Sequence, residues 1–290
     1  MMPVLESGEE TLVGGQAVIE GVMMRAPHSY CVAVRKPSGE VVTHEMPVPR
    51  MSEKYKIFKY PVLRGLGVLG QAMSLGIKAL RFSANTALDD GSGERKPKEL
   101  SSGAMALQLV LKWNPALNGR IAFNAVDGII RLAIFLTFLF LVSRSKDIRR
   151  VFQYHGAEHK VVFNFESGKP VTVDNAQAFT TFHPRCGTSF LLVVMVISMI
   201  IYTLIPFQGF GMKLLSRIVL LPVITGLSYE LIRFAAKRRG SFLALLTAPG
   251  LWLQRITTQP PSNEQTEVAI CALDHAMALE TSQGGELVIA

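Results

Sequence analysis

Twenty consecutive residues, Thr188 to Phe207 (TSFLLVVMVISMIIYTLIPF), carry no charge. As a helix, such a run is long enough to cross roughly 30 Å of hydrocarbon. It is apolar on every side, so it must be buried in a large core or in lipid. Ile218 to Ile232 is a second candidate span, interrupted by Pro222 and ending at Glu230 and Arg233. Gly128 to Val142 is a third, short and carrying Arg131 near its start, whereas Ala104 to Trp113 is too short to cross alone. Hydrophobic residues make up 49% of the 290 and charged ones 18%, which is apolar for a soluble enzyme and suits a partly embedded chain. The fold class these runs imply is an α-helical integral membrane protein with a small β-containing N-terminal cytoplasmic module.

Charge decides how the loops are assigned. The net charge of +8 is concentrated beside the apolar runs, without the aromatic interleaving of a nucleic-acid surface. The expected partner is therefore the lipid bilayer rather than nucleic acid; protein partners and a homo-oligomer are left open. Only Lys213 and Arg217 lie between the last two apolar runs, whereas Ser143–Cys186 and Phe234–Gly240 are rich in Lys and Arg. By the positive-inside rule the chain is a multi-pass protein of the cell (inner or plasma) membrane, with the HGAEHK stretch and the C-terminus cytoplasmic and the Gln208–Leu214 turn outside. A cytoplasmic N-terminal region then requires an even number of crossings before Ser143. MMPVLESGEETL has no basic segment leading into an apolar core, so it is not read as a secretory signal. Cys31, Cys186 and Cys271 lie far apart and form no disulfide framework.

Along the chain, residues 1–60 read as the β-containing module. Val13 to Arg25 is a short alternating segment turned by Gly14, Gly15 and Gly21, and Tyr30–Arg35 and Val41–Met46 form a hairpin across KPSGE. Glu20 stands among apolar neighbours with Arg25 as its expected partner. Residues 61–88 repeat Val62, Leu66, Leu69, Met73, Ile77 and Leu80 at helical spacing beside Arg64, Lys78 and Arg81. This basic amphipathic helix fits either a membrane surface or a core. Residues 89–102 are a polar linker, 103–142 short membrane-inserted apolar helices, 143–187 a cytoplasmic loop, 188–234 two transmembrane helices and 235–290 a cytoplasmic helical region. That last region has a turn at Pro249-Gly250 and a break at Pro260-Pro261 before a docking helix through Val268, Ala272 and Leu279.

The chemistry concentrates in YHGAEHK. His155 and His159 are four residues apart and share one face of a helix, and Glu158 can turn toward that face. The order H-x-x-E-H matches the inverzincin pattern. Two imidazoles and a carboxylate can bind zinc and move a proton from water. His183 and Cys186, in HPRC just before Thr188, are the candidates for a third metal ligand, and Arg185 beside Cys186 would favour a thiolate. Glu158 is the expected catalytic base; otherwise it is a helix-surface carboxylate paired with Lys160 or an Arg. Glu166 is a weaker candidate for supporting an imidazole, and Asp174 and Asn175 are expected to cap the next helix. His28, His44 and His275 stand singly and are read as structural. The expected cofactor is a divalent metal ion, zinc by its donors.

GGQAVIEGVMMR, DIRRVFQYHGAEHK, HPRCGTSF, LLPVITGLSYEL and APGLWLQRITTQPP…EVAI together resemble the YqhQ-like family of bacterial membrane proteins. That family is catalogued as a domain of unknown function and described as predicted metal-dependent enzymes. The resemblance covers nearly the whole chain and implies a multi-spanning protein without naming a substrate. The chain departs from it between Asp89 and Asn124, where relatives carry a full apolar helix. The function expected is a metal-dependent enzyme, most simply a hydrolase at the cytoplasmic membrane face; the alternative is a non-catalytic assembly or transport protein with a structural His cluster.

Overall fold

A computed structural model describes residues 13–49, 55–87, 120–184, 186–204, 210–237 and 248–282, with the side chains of 120–125, 210, 213 and 235–237 excepted. The linker at 89–102, the Ala104–Trp113 run and Arg185 lie outside the described residues. So do the Gln208 and Gly209 positions of the expected outer turn; Phe210 to Leu214 are helical rather than part of a turn.

Four antiparallel strands, β1 (Gly14–Val18), β2 (Gly21–Arg25), β3 (Ser29–Arg35) and β4 (Val41–Pro47), form one sheet in sequential order. The hairpin across KPSGE is present, with Arg35 opposite Val41. The β1–β2 turn is tight, with Val18 opposite Gly21 and Glu20 in the left-handed region at φ 53. Gly21 is required beside it, because a Cβ there would meet the Ala33 carbonyl oxygen at 2.1 Å. Glu20 does not pair with Arg25. Its carboxylate bonds Arg150 and accepts from the Tyr154 hydroxyl at 3.4 Å, while Arg25 donates to Gln71 at 2.6 Å.

Both sheet faces are covered, which explains why VMM and YCVAV are continuously apolar rather than strictly alternating. Val18, Met23, Tyr30, Val32 and Val34 pack under Leu75 and Ala79 of α1 (Leu63–Ala87). Val22, Met24, Cys31 and Ala33 pack against two helices, α3 (Lys146–Glu166) and α8 (Asn263–Ser282). Helix α8 presents Val268, Ala269, Ala272, Leu273 and Ala276, all fully buried. Its alanines let the helix approach the strands closely. At its end, buried Glu280 accepts from the His28 amide at 2.8 Å and the Ser29 hydroxyl at 2.9 Å, tying the β2–β3 turn to the C-terminal region.

The apolar runs become α2 (Arg120–Val142), α5 (Gly187–Leu204) and α6 (Phe210–Lys237). Among the described residues, Gly187–Leu204 and Leu214–Phe234 are each long and apolar enough to cross a membrane. The stretch Val126–Val142 becomes a third candidate when joined to α3, with a 98° bend between them. Pro222 does not break α6, which continues through it; neighbouring groups can satisfy the one carbonyl that a helical proline frees. Helix α2 reaches eight residues upstream of Gly128 and packs on α5, where a Cβ at Gly128 would meet Met199 Sδ at 2.1 Å. The protein is thus mostly helical, with an N-terminal four-stranded sheet and two or three candidate spans.

Two shorter helices complete the body. In α4 (Val173–Gln177) the cap is Thr172, whose side chain accepts from the Asn175 amide at 3.2 Å. Asp174 and Asn175, expected as caps, lie inside the first turn, where Asp174 still complements the helix dipole. The sequence APGLWLQRIT is not turned at Pro249-Gly250 but forms α7 (Ala248–Thr257). Proline is tolerated in a first turn because that N–H has no helical partner. Gly250 lies on Ser189 of α5, with an added Cβ only 2.5 Å from the Ser189 Cβ.

Candidate metal centre

Helix α3 carries the site. Asp147 in its first turn complements the dipole, and a buried stripe from Tyr154 to Asn164 seats it against the sheet and α8. The rings of His155 and His159 meet Thr181, Cys186 and Thr257, in the segment before α5 and at the end of α7. The ligating atoms of His155, His159 and Cys186 lie within 4.8 Å of one another. The His155 Nε2 to Cys186 Sγ distance is 3.2 Å, and the two imidazole centroids are 4.5 Å apart. Cys186 sits at the mouth of α5, its sulfur 3.1 Å from the Thr188 hydroxyl.

The opposite edge of each ring is held. His155 Nδ1 is 2.8 Å from the Thr257 carbonyl oxygen, and His159 Nδ1 bonds the Thr181 carbonyl oxygen. A carbonyl only accepts, so each Nδ1 must carry the proton, which in the neutral rings leaves both Nε2 lone pairs to the Cys186 thiol. Backbone carbonyls are common outer partners of metal-binding histidines, because they set the tautomer and ring angle. Burial pushes the His159 imidazole below its ordinary value, which favours the neutral form that ligation needs. Tetrahedral zinc holds N and S ligands at about 2.0–2.3 Å, hence roughly 3.5 Å from one another. The His155–Cys186 pair stands at 3.2 Å and the whole trio within 4.8 Å, so its spread brackets that spacing, and two imidazole nitrogens with a thiol sulfur are donors that zinc takes.

Several groups shape this cluster. Gln254 on α7 is fully buried and clamps the His183 peptide: the His183 amide donates to Gln254 Oε1 at 2.7 Å, and Gln254 Nε2 donates to the His183 carbonyl at 2.8 Å. The same amide nitrogen bonds Ser189 Oγ at 2.8 Å. Lys160, also buried, donates to the carbonyls of Gln177 and Phe179 at 2.7 and 2.6 Å, so it holds the segment leading to Thr181 and is not paired with Glu158. Gly156 lies between the histidines, and a Cβ there would meet the Gln259 carbonyl oxygen at 2.1 Å. That glycine lets the segment after α7 lie on α3, with the Gln259 amide bonded to the Phe152 carbonyl at 2.9 Å.

Glu158 is placed apart from the trio. Its side chain turns to the sheet, where a Cβ on Gly15 would come within 2.9 Å of its Cγ. It is 7% exposed, and one carboxyl oxygen is buried without a hydrogen-bond partner. Burial raises its pKa; His155, His183 and the Gly15 amide pull it back down in smaller measure. His183 lies beside the trio, its ring 5.6 Å from His159 and 4.5 Å from Phe163, with Nε2 3.7 Å from Glu166. Glu267 is exposed, with its carboxylate 3.4 Å from Arg35.

The profile of a family described as "Protein of unknown function (DUF1385)" matches residues 60–279. The chain belongs to this family. It is also 35% identical over 294 residues to the uncharacterized protein YqhQ of Bacillus subtilis (strain 168), covering 92% of each chain. No solved structure matches it. The DUF1385 stretch starts after β4 and contains the trio, Glu158, His183 and Gln254. Sequence reasoning named His155 and His159 with His183 and Cys186 as candidates for the third ligand, of which Cys186 is the one in the trio; it missed Thr181, Thr257, Gln254 and Gly156, and gave Lys160 only as a partner of Glu158. Thr181 and Thr257 act through backbone carbonyls, which any residue supplies. Gln254 and Gly156 stood inside quoted motifs, where only an unexplained buried amide or helical glycine could have drawn notice.

Proposed function

We propose that this DUF1385 protein is a membrane-embedded metalloprotein in which His155, His159 and Cys186 hold one zinc ion at the point where α5 enters the bilayer. The supporting observation is that both Nδ1 atoms are committed to carbonyls while both Nε2 atoms turn to the Cys186 sulfur. Three protein ligands leave a fourth position, as in catalytic rather than structural zinc sites. The ion would supply Lewis-acid polarisation there. Glu158, the buried carboxylate next to His159 in the chain, would have to turn from Gly15 toward the histidines to accept a proton from water, the chemistry of a hydrolase at the cytoplasmic membrane face. His183 with Glu166 would support the neighbouring wall, and Arg185 would favour the Cys186 thiolate.

The decisive experiment pairs metal analysis with complementation of a deletion strain. The purified protein should retain about one zinc per chain after dialysis, and His159→Ala should retain none. Glu158→Gln should keep the zinc yet fail to complement. Absence of zinc in the wild type would end the metal reading.

The position of Glu158 against Gly15 favours a second reading, a non-catalytic assembly or transport protein with a structural metal site. In that case Glu158→Gln, metal-loaded and present at normal level, complements fully.

A further inference from the structure

Helix α1 has one face that the sheet covers and one that it does not. Leu75, Ala79 and Ser83 are buried toward the strands. Roughly opposite them on the helix, Met73, Ile77 and Leu80 are 60%, 51% and 41% exposed. Lys78 and Arg81 follow on the adjoining side, both exposed. An unpartnered apolar stripe on a helix that already has a core face needs an occupant.

The first turns of α1 indicate which one. Arg64 bonds both carboxylate oxygens of Glu230 on α6. A Cβ at Gly65 would lie 2.9 Å from the Tyr229 side chain, and one at Gly226 would lie 2.4 Å from Val62. These contacts fasten α1 to α6 near the end of the candidate span Leu214–Phe234. The start of α1 is therefore held at that end of α6, and the stripe begins two turns further along the same helix. Beside α1, the turn Lys56–Lys59 seats Phe58 on Gly67 and exposes Tyr55, Ile57 and Tyr60. Exposed aromatic side chains beside lysines are what a bilayer interface selects.

We infer that α1 lies in the headgroup–acyl boundary of an anionic bilayer, with Met73, Ile77 and Leu80 inserted and Lys78 and Arg81 on acidic headgroups. The sheet rides on its other face, so α1 sets the height of the soluble body, and with it Cys186, above the membrane. The inference rests on the reading of α6 as a span.

The test is quenching by acyl-brominated lipid of single tryptophans in the full chain, reconstituted in phosphatidylcholine/phosphatidylglycerol vesicles with Trp113 and Trp252 replaced by Phe. Met73→Trp and Ile77→Trp should emit at shorter wavelength than Thr281→Trp and be quenched, as should Leu215→Trp in α6. Quenching at Leu215→Trp without quenching at Met73→Trp and Ile77→Trp overturns the inference and leaves the span standing. Loss of quenching at Leu215→Trp means that the membrane reading itself has failed. A blue-shifted but unquenched Met73→Trp means that protein, a second copy or another chain, covers the stripe, and that also overturns it. Lys78→Glu combined with Arg81→Glu should reduce quenching at Met73→Trp; undiminished quenching removes the acidic-lipid part of the proposal.

Discussion

At the residue scale, Glu158 carries a pH signature. Its folded-state pKa is raised, by burial above all, from the ordinary 4.5. The folded state therefore holds the proton more tightly than the unfolded state. This contribution to stability is fully present below about pH 4.5 and is lost as pH rises through the folded-state value. In metal-free protein, Glu158→Gln should remove that loss, so the stability difference between variant and wild type should grow from acid to neutral pH. Denaturant unfolding at several pH values checks this, and a pH-independent difference would refute it. Gly156→Ala tests the tight approach between the histidines. The methyl must displace the Gln259 carbonyl from 2.1 Å and drag Thr257 with it. Overpacking of this kind costs about 1–3 kcal/mol. Losing an outer partner to a ligating histidine should weaken zinc binding about 10–100-fold, measured by chelator competition.

At the element scale, α7 is the brace of the site, although it is only ten residues long. Gln254 meets four needs at once: both sides of the His183 peptide, the Ser189 hydroxyl, and its own burial. Gln254→Ala leaves buried donors and acceptors without partners, each at about 1–3 kcal/mol. The variant should melt lower than wild type with or without zinc, whereas His159→Ala should melt lower only by comparison with the zinc-loaded protein. Differential scanning with and without chelator separates the two. Helix α8 makes a simpler prediction. Leu273 is fully buried under the sheet, so Leu273→Ala should destabilise by about 2–5 kcal/mol in urea unfolding.

For the whole molecule, the sheet, α3 and α8 form one packed body. Any membrane must therefore have the N-terminal sheet and the HGAEHK helix on the same side. The α5 N-terminus and the 226–230 end of α6 both meet this body, through Gly250 on Ser189 and through α1. Reporter cysteines placed at Lys36 and Lys169 should then be modified by an impermeant reagent from the same side, both or neither, while a reporter near Met212 should behave oppositely. Labelling at Lys36 alone from outside would contradict the packing of β3 against α8. The even number of crossings that this demands before Ser143 depends partly on 88–119, outside the described residues.

Much of this was legible in the chain itself. A charge-free run such as Thr188–Phe207 has to leave water for a core or for lipid, and the i, i+4 spacing of His155 and His159 puts them on one helical face regardless of context. Strand and hairpin signals over Gly14–Met46 are likewise local, because turn chemistry and β-branched runs act within a few residues. What needed the tertiary structure was every choice among distant partners. Glu20 could equally have taken Arg25 or Arg150, and the chain trace brings Arg150 to it. Glu158 could have faced the histidines or the sheet, and packing of α3 on β1 turned it to Gly15. The selection of Thr181 and Thr257 as holders of the two imidazoles was made by backbone carbonyls. Those are identical at every position in a sequence and differ only in where the fold places them.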